Sequence, residues 1–271
     1  MPTARVGDID INYVTEGDGP LVVLLHGFPE SSFSWRRQVP ALAAAGFRAI
    51  APDLRGYGHS SRPEGIDSYR LTEVVKDIAG LIMQNGGVCR LVGHDWGGYA
   101  AWYLAMLHPE LVSKLVVMNA PHGAVLTRVM KRSIQQKLRL AYQLFFNLPV
   151  LPELFWRAFG PAIMRRLGSF TPAEVAEYAR LWKQPGAIRA MMNYYRALRR
   201  HRGELRALSR PIRVPTLFIF GERDPVFMRE TADGFGDWVP DVRVVRIPEA
   251  GHFVQTDAAD TVNALLVEFL R

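Results

Sequence analysis

The amino-acid sequence predicts an α/β fold: a mostly parallel central sheet with helices on both faces and a helical lid (cap) inserted between late strands. Three observations predict it. Short apolar runs recur at residues 9–14, 21–25, 47–51, 88–92, 115–118, 215–220 and 242–247. The five later runs are rich in β-branched residues and continuous rather than alternating, the pattern of strands buried on both faces. Helical patterns fill the intervals, and such alternation builds a layered sheet. The rhythm then breaks. After Met118-Asn119-Ala120-Pro121-His122 only helical segments follow, separated by Pro149, Pro152, Gly160, Pro172, Pro185 and Gly186, until strand character resumes at Val214.

Each element has its own signal. A helix is expected over 35–45, stopped by Gly46; a second is capped by Thr72 and reaches Asn85; a third covers 98–107 and ends before Pro109. The break sets the expected domain organisation: a core formed by 1–121 and 211–271, and a helical cap over 122–210. An insertion between two strands at the C-terminal edge of such a sheet covers the crevice where ligands bind.

Composition narrows the class. A chain of 271 residues that is 49% hydrophobic has ample material for a large core. Its one cysteine, Cys89, falls inside an expected buried strand and reads as a small core residue. Residues 1–18 are too polar for a signal peptide, and no apolar run approaches the ~18 residues of a membrane span. The expectation is a cytoplasmic protein without stable membrane anchoring, either a monomer or a homodimer. The net charge of +7 is unevenly spread: residues 122–210 hold 17 Lys/Arg against 4 Asp/Glu, and the rest carry 16 against 22. The middle segment is thus a basic unit set into an acidic one. Arginine-rich helix faces are ordinarily solvated surface, so no nucleic-acid partner is expected.

The chemistry is concentrated in Gly93-His94-Asp95-Trp96-Gly97-Gly98, directly after the apolar run that ends at Val92. This is the glycine spacing of a nucleophile elbow, a sharp strand-to-helix turn that presents one strained residue. Aspartate stands where serine is usual. A carboxylate attacks saturated carbon and becomes an alkyl ester, which points away from esterases and towards epoxide opening or halide displacement. Gly221-Glu222-Arg223-Asp224-Pro225 follows the next expected strand, and Gly251-His252-Phe253 follows the last. Nucleophile Asp95, acid Asp224 and histidine His252 therefore come in the chain order of an α/β-hydrolase, each at a strand end. His26-Gly27-Phe28-Pro29 follows the run 21–25, which makes the Phe28 and Trp96 amides the expected oxyanion donors. His26 and His94 read as supports of loop geometry, His59 and His108 as turn residues, and His201 as solvated.

These residues, with Ala51-Pro52-Asp53-Leu54-Arg55-Gly56-Tyr57-Gly58, make the core resemble the α/β-hydrolase superfamily along nearly its whole length. The chain as a whole resembles the soluble type of epoxide hydrolase. Asn193-Tyr194-Tyr195-Arg196 is similar to that family's second lid-tyrosine motif, which maps to Tyr195, and residues 141–149 are similar to the first, which maps to Tyr142. Ala141 replaces the tryptophan that commonly precedes that tyrosine. Helical phase agrees: Ile188, Met191, Met192, Tyr195 and Leu198 share one face, and Ile134, Leu138, Ala141, Tyr142 and Phe145 form an apolar stripe. Both tyrosines are therefore expected to point inward, with Tyr194 as a packing residue.

The resemblance implies conversion of an apolar epoxide and water to a vicinal diol through an Asp95 ester, with no metal or organic cofactor. Trp35, Phe145 and Met191 are the expected pocket walls, beside Phe28 and Trp96. A haloalkane dehalogenase is the nearest alternative, because Trp96 follows the nucleophile, although paired lid tyrosines have no part in that chemistry. A non-catalytic ligand-binding member of the fold is more distant.

Overall fold

The computed structural model describes residues 1–203 and 210–271. Among the described residues eight strands form one sheet: β1 (Thr3–Val6), β2 (Ile9–Glu16), β3 (Leu21–Leu25), β4 (Arg48–Pro52), β5 (Cys89–His94), β6 (Val112–Met118), β7 (Thr216–Gly221) and β8 (Val242–Ile247). Their order is β1-β2-β4-β3-β5-β6-β7-β8, with the first two pairings antiparallel and all others parallel. β1 carries no strong apolar signal and was not anticipated; pairing with β2 holds it in place.

Side-chain alternation divides the core into two layers. Val23, Leu25, Leu91, Leu115, Val117 and Phe218 face one side, whereas Val22, Leu24, Val92, Val116, Met118 and Leu217 face the other. The first side is covered by α2 (Leu71–Gln84) and α3 (Asp95–Leu107); the second by α1 (Gln38–Ala44) and the C-terminal helix Ala259–Leu270. The first expected helix starts later than 35, because residues Ser32–Trp35 form a separate 3-10 turn. The third starts earlier, at Asp95 itself. Cys89 is buried as expected, and burial pushes its thiol pKa up to about 12.

Between β6 and β7 the described residues form helices: α4 (Gly123–Arg132), α5 (Ile134–Arg139), α6 (Tyr142–Phe146), α7 (Leu151–Leu167), α8 (Pro172–Trp182) and α9 (Ala187–Arg200). Thr171 caps α8 with a reciprocal capping box to Glu174, which also ties this layer to the sheet through Arg36 Nε at 2.8 Å. Trp182 Nε1 donates to the Pro29 carbonyl at 2.8 Å, and the Tyr194 hydroxyl donates to the Arg55 carbonyl at 2.8 Å. The helical layer is thereby seated on the loops that follow β3 and β4.

One expectation fails here. Ile134 and Leu138 are 73% and 70% exposed, so the apolar stripe of α5 does not face the core. A short helix can direct Leu140 inward and leave the other face in solvent. The stripe on α9 behaves as expected, with Ile188, Met191, Met192 and Tyr195 buried and Leu198 partly so.

Candidate active site

β5 turns into α3 without an intervening loop, and Asp95 sits at the turn with φ +48°. That conformation is strained for a residue bearing a Cβ, and only close packing sustains it. Two glycines permit the packing. A Cβ on Gly93 would lie 2.4 Å from the Gly97 carbonyl oxygen, and one on Gly97 would lie 2.1 Å from the Leu25 carbonyl oxygen. The elbow thus presses against β3. The Phe28 amide, on the loop after β3, donates to Asp95 Oδ1 at 2.7 Å. Trp96 lies in the first turn of α3, where backbone N–H groups have no intrahelical acceptor.

Asp224 and His252 arrive from the ends of β7 and β8. His252 Nδ1 is 2.9 Å from Asp224 Oδ2, and Nε2 is 3.7 Å from Asp95 Oδ2. All three side chains are buried. Asp224 Oδ1 accepts from the amides of Val226 and Phe227 at 2.6 and 3.0 Å, and Oδ2 also accepts from Asn119 Nδ2 at 2.7 Å. With its carboxylate so held, Asp224 fixes the proton of His252 on Nδ1 and turns Nε2 towards Asp95.

Charge governs ionisation at this site. Burial by itself would lower the His252 pKa, but the Asp224 and Asp95 carboxylates outweigh it and raise the value to about 10. Burial would raise the Asp95 pKa; the facing His252 and the Phe28 amide hold it below the usual carboxylate value. The resting site is therefore an imidazolium between two carboxylates at neutral pH.

Tyr195 is buried and Tyr142 partly buried, with ring centroids 6.0 Å apart. The Trp96 ring packs edge-on against Tyr195, with centroids 5.1 Å apart. Burial raises both phenol pKa values, and the Asp95 charge raises them further, so both hydroxyls keep their protons. The surrounding wall is aromatic. Phe28 packs against Phe146, Trp156 and Tyr195 with centroids 5.5, 4.8 and 5.4 Å away. Met191 is buried on α9, while Phe145 stands further out, between Phe146 and Phe155. Trp35 is not a wall residue. The turn at Ser32–Trp35 places it, fully buried, in the opposite core layer with Val22, Leu24 and Leu266.

Sequence reasoning missed several groups. Phe146 and Trp156 complete the aromatic wall, and nothing in local periodicity separates them from ordinary core residues. Asn119, at φ +43°, both orients Asp224 and accepts from the Gly221 amide at 3.0 Å. Its position directly after a buried strand was a usable signal, since asparagine tolerates that backbone region. His94 does more than shape a loop: its Nε2–H donates to the His252 carbonyl at 2.8 Å, and Nδ1 lies 3.1 Å from the buried Glu30 carboxylate. Gln255 and Ser34 also donate to Glu30. His26 accepts from the Leu54 amide at 3.1 Å, and His201 pairs with Asp67 at 2.8 Å rather than standing in solvent alone.

The chain matches the family model of the alpha/beta hydrolase fold over residues 20–259. It is 40% identical to the AB hydrolase superfamily protein YfhM of Bacillus subtilis (strain 168) across 94% of this chain and 91% of that one. It is 34% identical to Epoxide hydrolase 4 of Mus musculus across 96% of this chain and 76% of the relative. The crystal structure of Bacillus megaterium epoxide hydrolase in complex with an inhibitor superposes with a TM-score of 0.90 at 31% identity, covering 99% of both chains. Epoxide hydrolase VrEH1 from Vigna radiata superposes with a TM-score of 0.87 at 30% identity, covering 99% of this chain and 96% of that one. The match over most of its length, together with these relatives, makes the chain a member of the α/β-hydrolase superfamily and, within it, of the epoxide hydrolase family.

Proposed function

We propose that the protein converts an apolar epoxide to a vicinal diol in two steps, with Asp95 as the nucleophile. Two protonated tyrosine hydroxyls facing a buried carboxylate carry this reading. In the first step Asp95 attacks a ring carbon from the side opposite the C–O bond. That bond breaks, its electrons go to oxygen, and Tyr142 and Tyr195 hydrogen-bond the developing alkoxide. The resulting hydroxyalkyl ester is neutral at Asp95, which removes one of the two charges that hold the His252 proton. His252 then gives up that proton as the alkoxide becomes a hydroxyl.

In the second step water attacks the ester carbonyl carbon and its proton passes to His252 Nε2. The Phe28 and Trp96 amides hold the oxyanion. Collapse breaks the bond from the carbonyl carbon to the substrate oxygen, which takes up the remaining proton of the attacking water and leaves as the diol, so that the Asp95 carboxylate faces the imidazolium again. Charge therefore balances over the cycle, and Asp224 keeps the ring in register throughout. On this reading 122–210 is a cap domain over a core of 1–121 and 211–271, and it contributes both phenols. A dehalogenase would have no use for the paired Tyr142 and Tyr195 beside Trp96.

The test is incubation of wild type, Asp95→Ala and His252→Gln with racemic styrene oxide, reading diol and intact protein mass together. Wild type forms diol, Asp95→Ala forms none, and His252→Gln gains the mass of the epoxide at Asp95. Absence of diol from wild type together with bromide release from a bromoalkane would assign the site to a dehalogenase. Wild-type turnover by His252→Gln would rule out the two-step scheme.

A further inference from the structure

Helix α7 is amphipathic in the wrong sense for a helix packed only on its own fold. Trp156, Gly160 and Met164 point inward, but Leu151, Leu154 and Phe159 are 58%, 57% and 54% exposed. Leu148 and Val150, just before the helix, are exposed as well, at 44% and 60%. Together with Phe155 these side chains form one ridge, and contiguous exposed apolar surface of this kind marks a contact face.

The ridge borders an open groove of about 960 Å³ whose lining joins Pro149, Val150 and Leu154 to Arg189, Arg196, Arg199 and Arg200 of α9. Two of these arginines are already paired, Arg196 with the lining residue Glu153 at 2.8 Å and Arg200 with Asp67 beside the lining at 3.0 Å, so the positive charge the groove presents is chiefly that of Arg189 and Arg199. From 123 to 170 the chain holds no other acidic residue, while Arg157, Arg165 and Arg166 are all exposed around the ridge. A second copy of the same face would bring like charges together. An anionic lipid surface would not, and an apolar ridge flanked by arginines is the composition that lies in a lipid interface.

The ridge also leads to the tyrosines. Ring centroids run from Phe159 to Phe155 at 5.2 Å, to Phe145 at 5.4 Å, to Phe146 at 6.1 Å and to Tyr195 at 5.0 Å. We propose that this face of the helical layer docks reversibly on anionic lipid, with the ridge at the acyl boundary and the arginine groove against headgroup phosphates. Lipid-dissolved substrate then enters along the aromatic path. Only this last step rests on the proposed reaction; the docking stands without it.

Flotation with phosphatidylcholine vesicles containing about a quarter phosphatidylglycerol tests the docking, with pure phosphatidylcholine as control. Wild type is expected to float with the anionic vesicles, to be released by salt, and to stay behind with the neutral ones. Arg189→Glu/Arg199→Glu removes two favourable charges and adds two repulsive ones, for an expected loss of binding on the order of 1000-fold. Leu151→Ser/Phe159→Ser weakens it independently. Arg189→Glu/Arg199→Glu changes exposed side chains that lie neither at Asp95 nor on the aromatic path, so its diol formation from a water-soluble epoxide remains at the wild-type rate. No flotation of wild type, or flotation unchanged in both variants, overturns the proposal. So does a wild-type dimer that Leu151→Ser/Phe159→Ser converts to monomer. Flotation without diol formation from any epoxide would retain the docking and sink the reaction instead.

Discussion

Asp95 and His252 set one another's ionisation, and the effect is measurable without any substrate. The His252 value of about 10 is the outcome of burial, which opposes charge, and of two carboxylates that favour it. Asp95→Asn removes one of those carboxylates and mimics the uncharged ester of the proposed reaction. The His252 pKa then falls by at least about one unit, towards what Asp224 alone sustains. Titration of the imidazole C–H resonance by NMR in both proteins gives the shift directly. A titration unmoved by Asp95→Asn would mean that Asp95 does not bear on the ring, and the reaction cycle would lose its proton balance. Asp224→Asn is expected to lower the value further, because Asp224 holds Nδ1 at 2.9 Å whereas Asp95 stands 3.7 Å from Nε2.

Among the elements, the β5–α3 elbow concentrates the structural cost of presenting Asp95. Gly97→Ala would drive a methyl group to 2.1 Å from a backbone carbonyl of β3, which no side-chain rotation relieves. The two central elements must separate, so destabilisation of at least about 2 kcal/mol is expected, read as a lowered midpoint in denaturant unfolding. Gly123→Ala, whose added methyl meets nothing within 4 Å, is the control and should leave the midpoint near wild type. The elbow was legible in sequence because the glycines that permit it are neighbours of Asp95. Asp224 and His252 were legible because each lies within a few residues of a strand end and close after a glycine, Gly221 or Gly251. The supports behind them were not. Gln255 reaches Glu30 across 225 positions, and Asn119 meets Asp224 across 105, so no local pattern announces either. Trp35 was misplaced for a related reason: an aromatic residue near the loop after β3 can turn to either face of the sheet, and the 3-10 turn decides which. The α5 stripe misled because periodicity reports that a face is apolar, not that something covers it.

At the scale of the whole molecule, the buried titratable groups set the pH range in which the fold is most stable. His252 has a folded pKa raised from 6.5 to about 10, so its contribution is fully present below pH 6.5 and is lost as pH rises through about 10. Tyr57, Tyr99, Tyr178, Tyr194 and Tyr195 are all raised well above 10.0, chiefly by burial. Each favours the fold fully below its unfolded value and loses that contribution above it, because the unfolded chain alone can release the proton easily. Asp95 acts in the opposite direction. Its lowered folded pKa gives stability above 3.8 that disappears on acidification. Thermal midpoints measured by circular dichroism should therefore be highest in weakly acid to neutral buffer, decline gradually from about pH 6.5, and fall steeply above about pH 10. His252→Gln should flatten the gradual decline while leaving the steep one, since the tyrosines are untouched. A midpoint that holds constant from neutrality to pH 10 in wild type would show that His252 carries no proton in the resting fold. The first chemical step would then have to draw its proton from solvent rather than from the imidazolium.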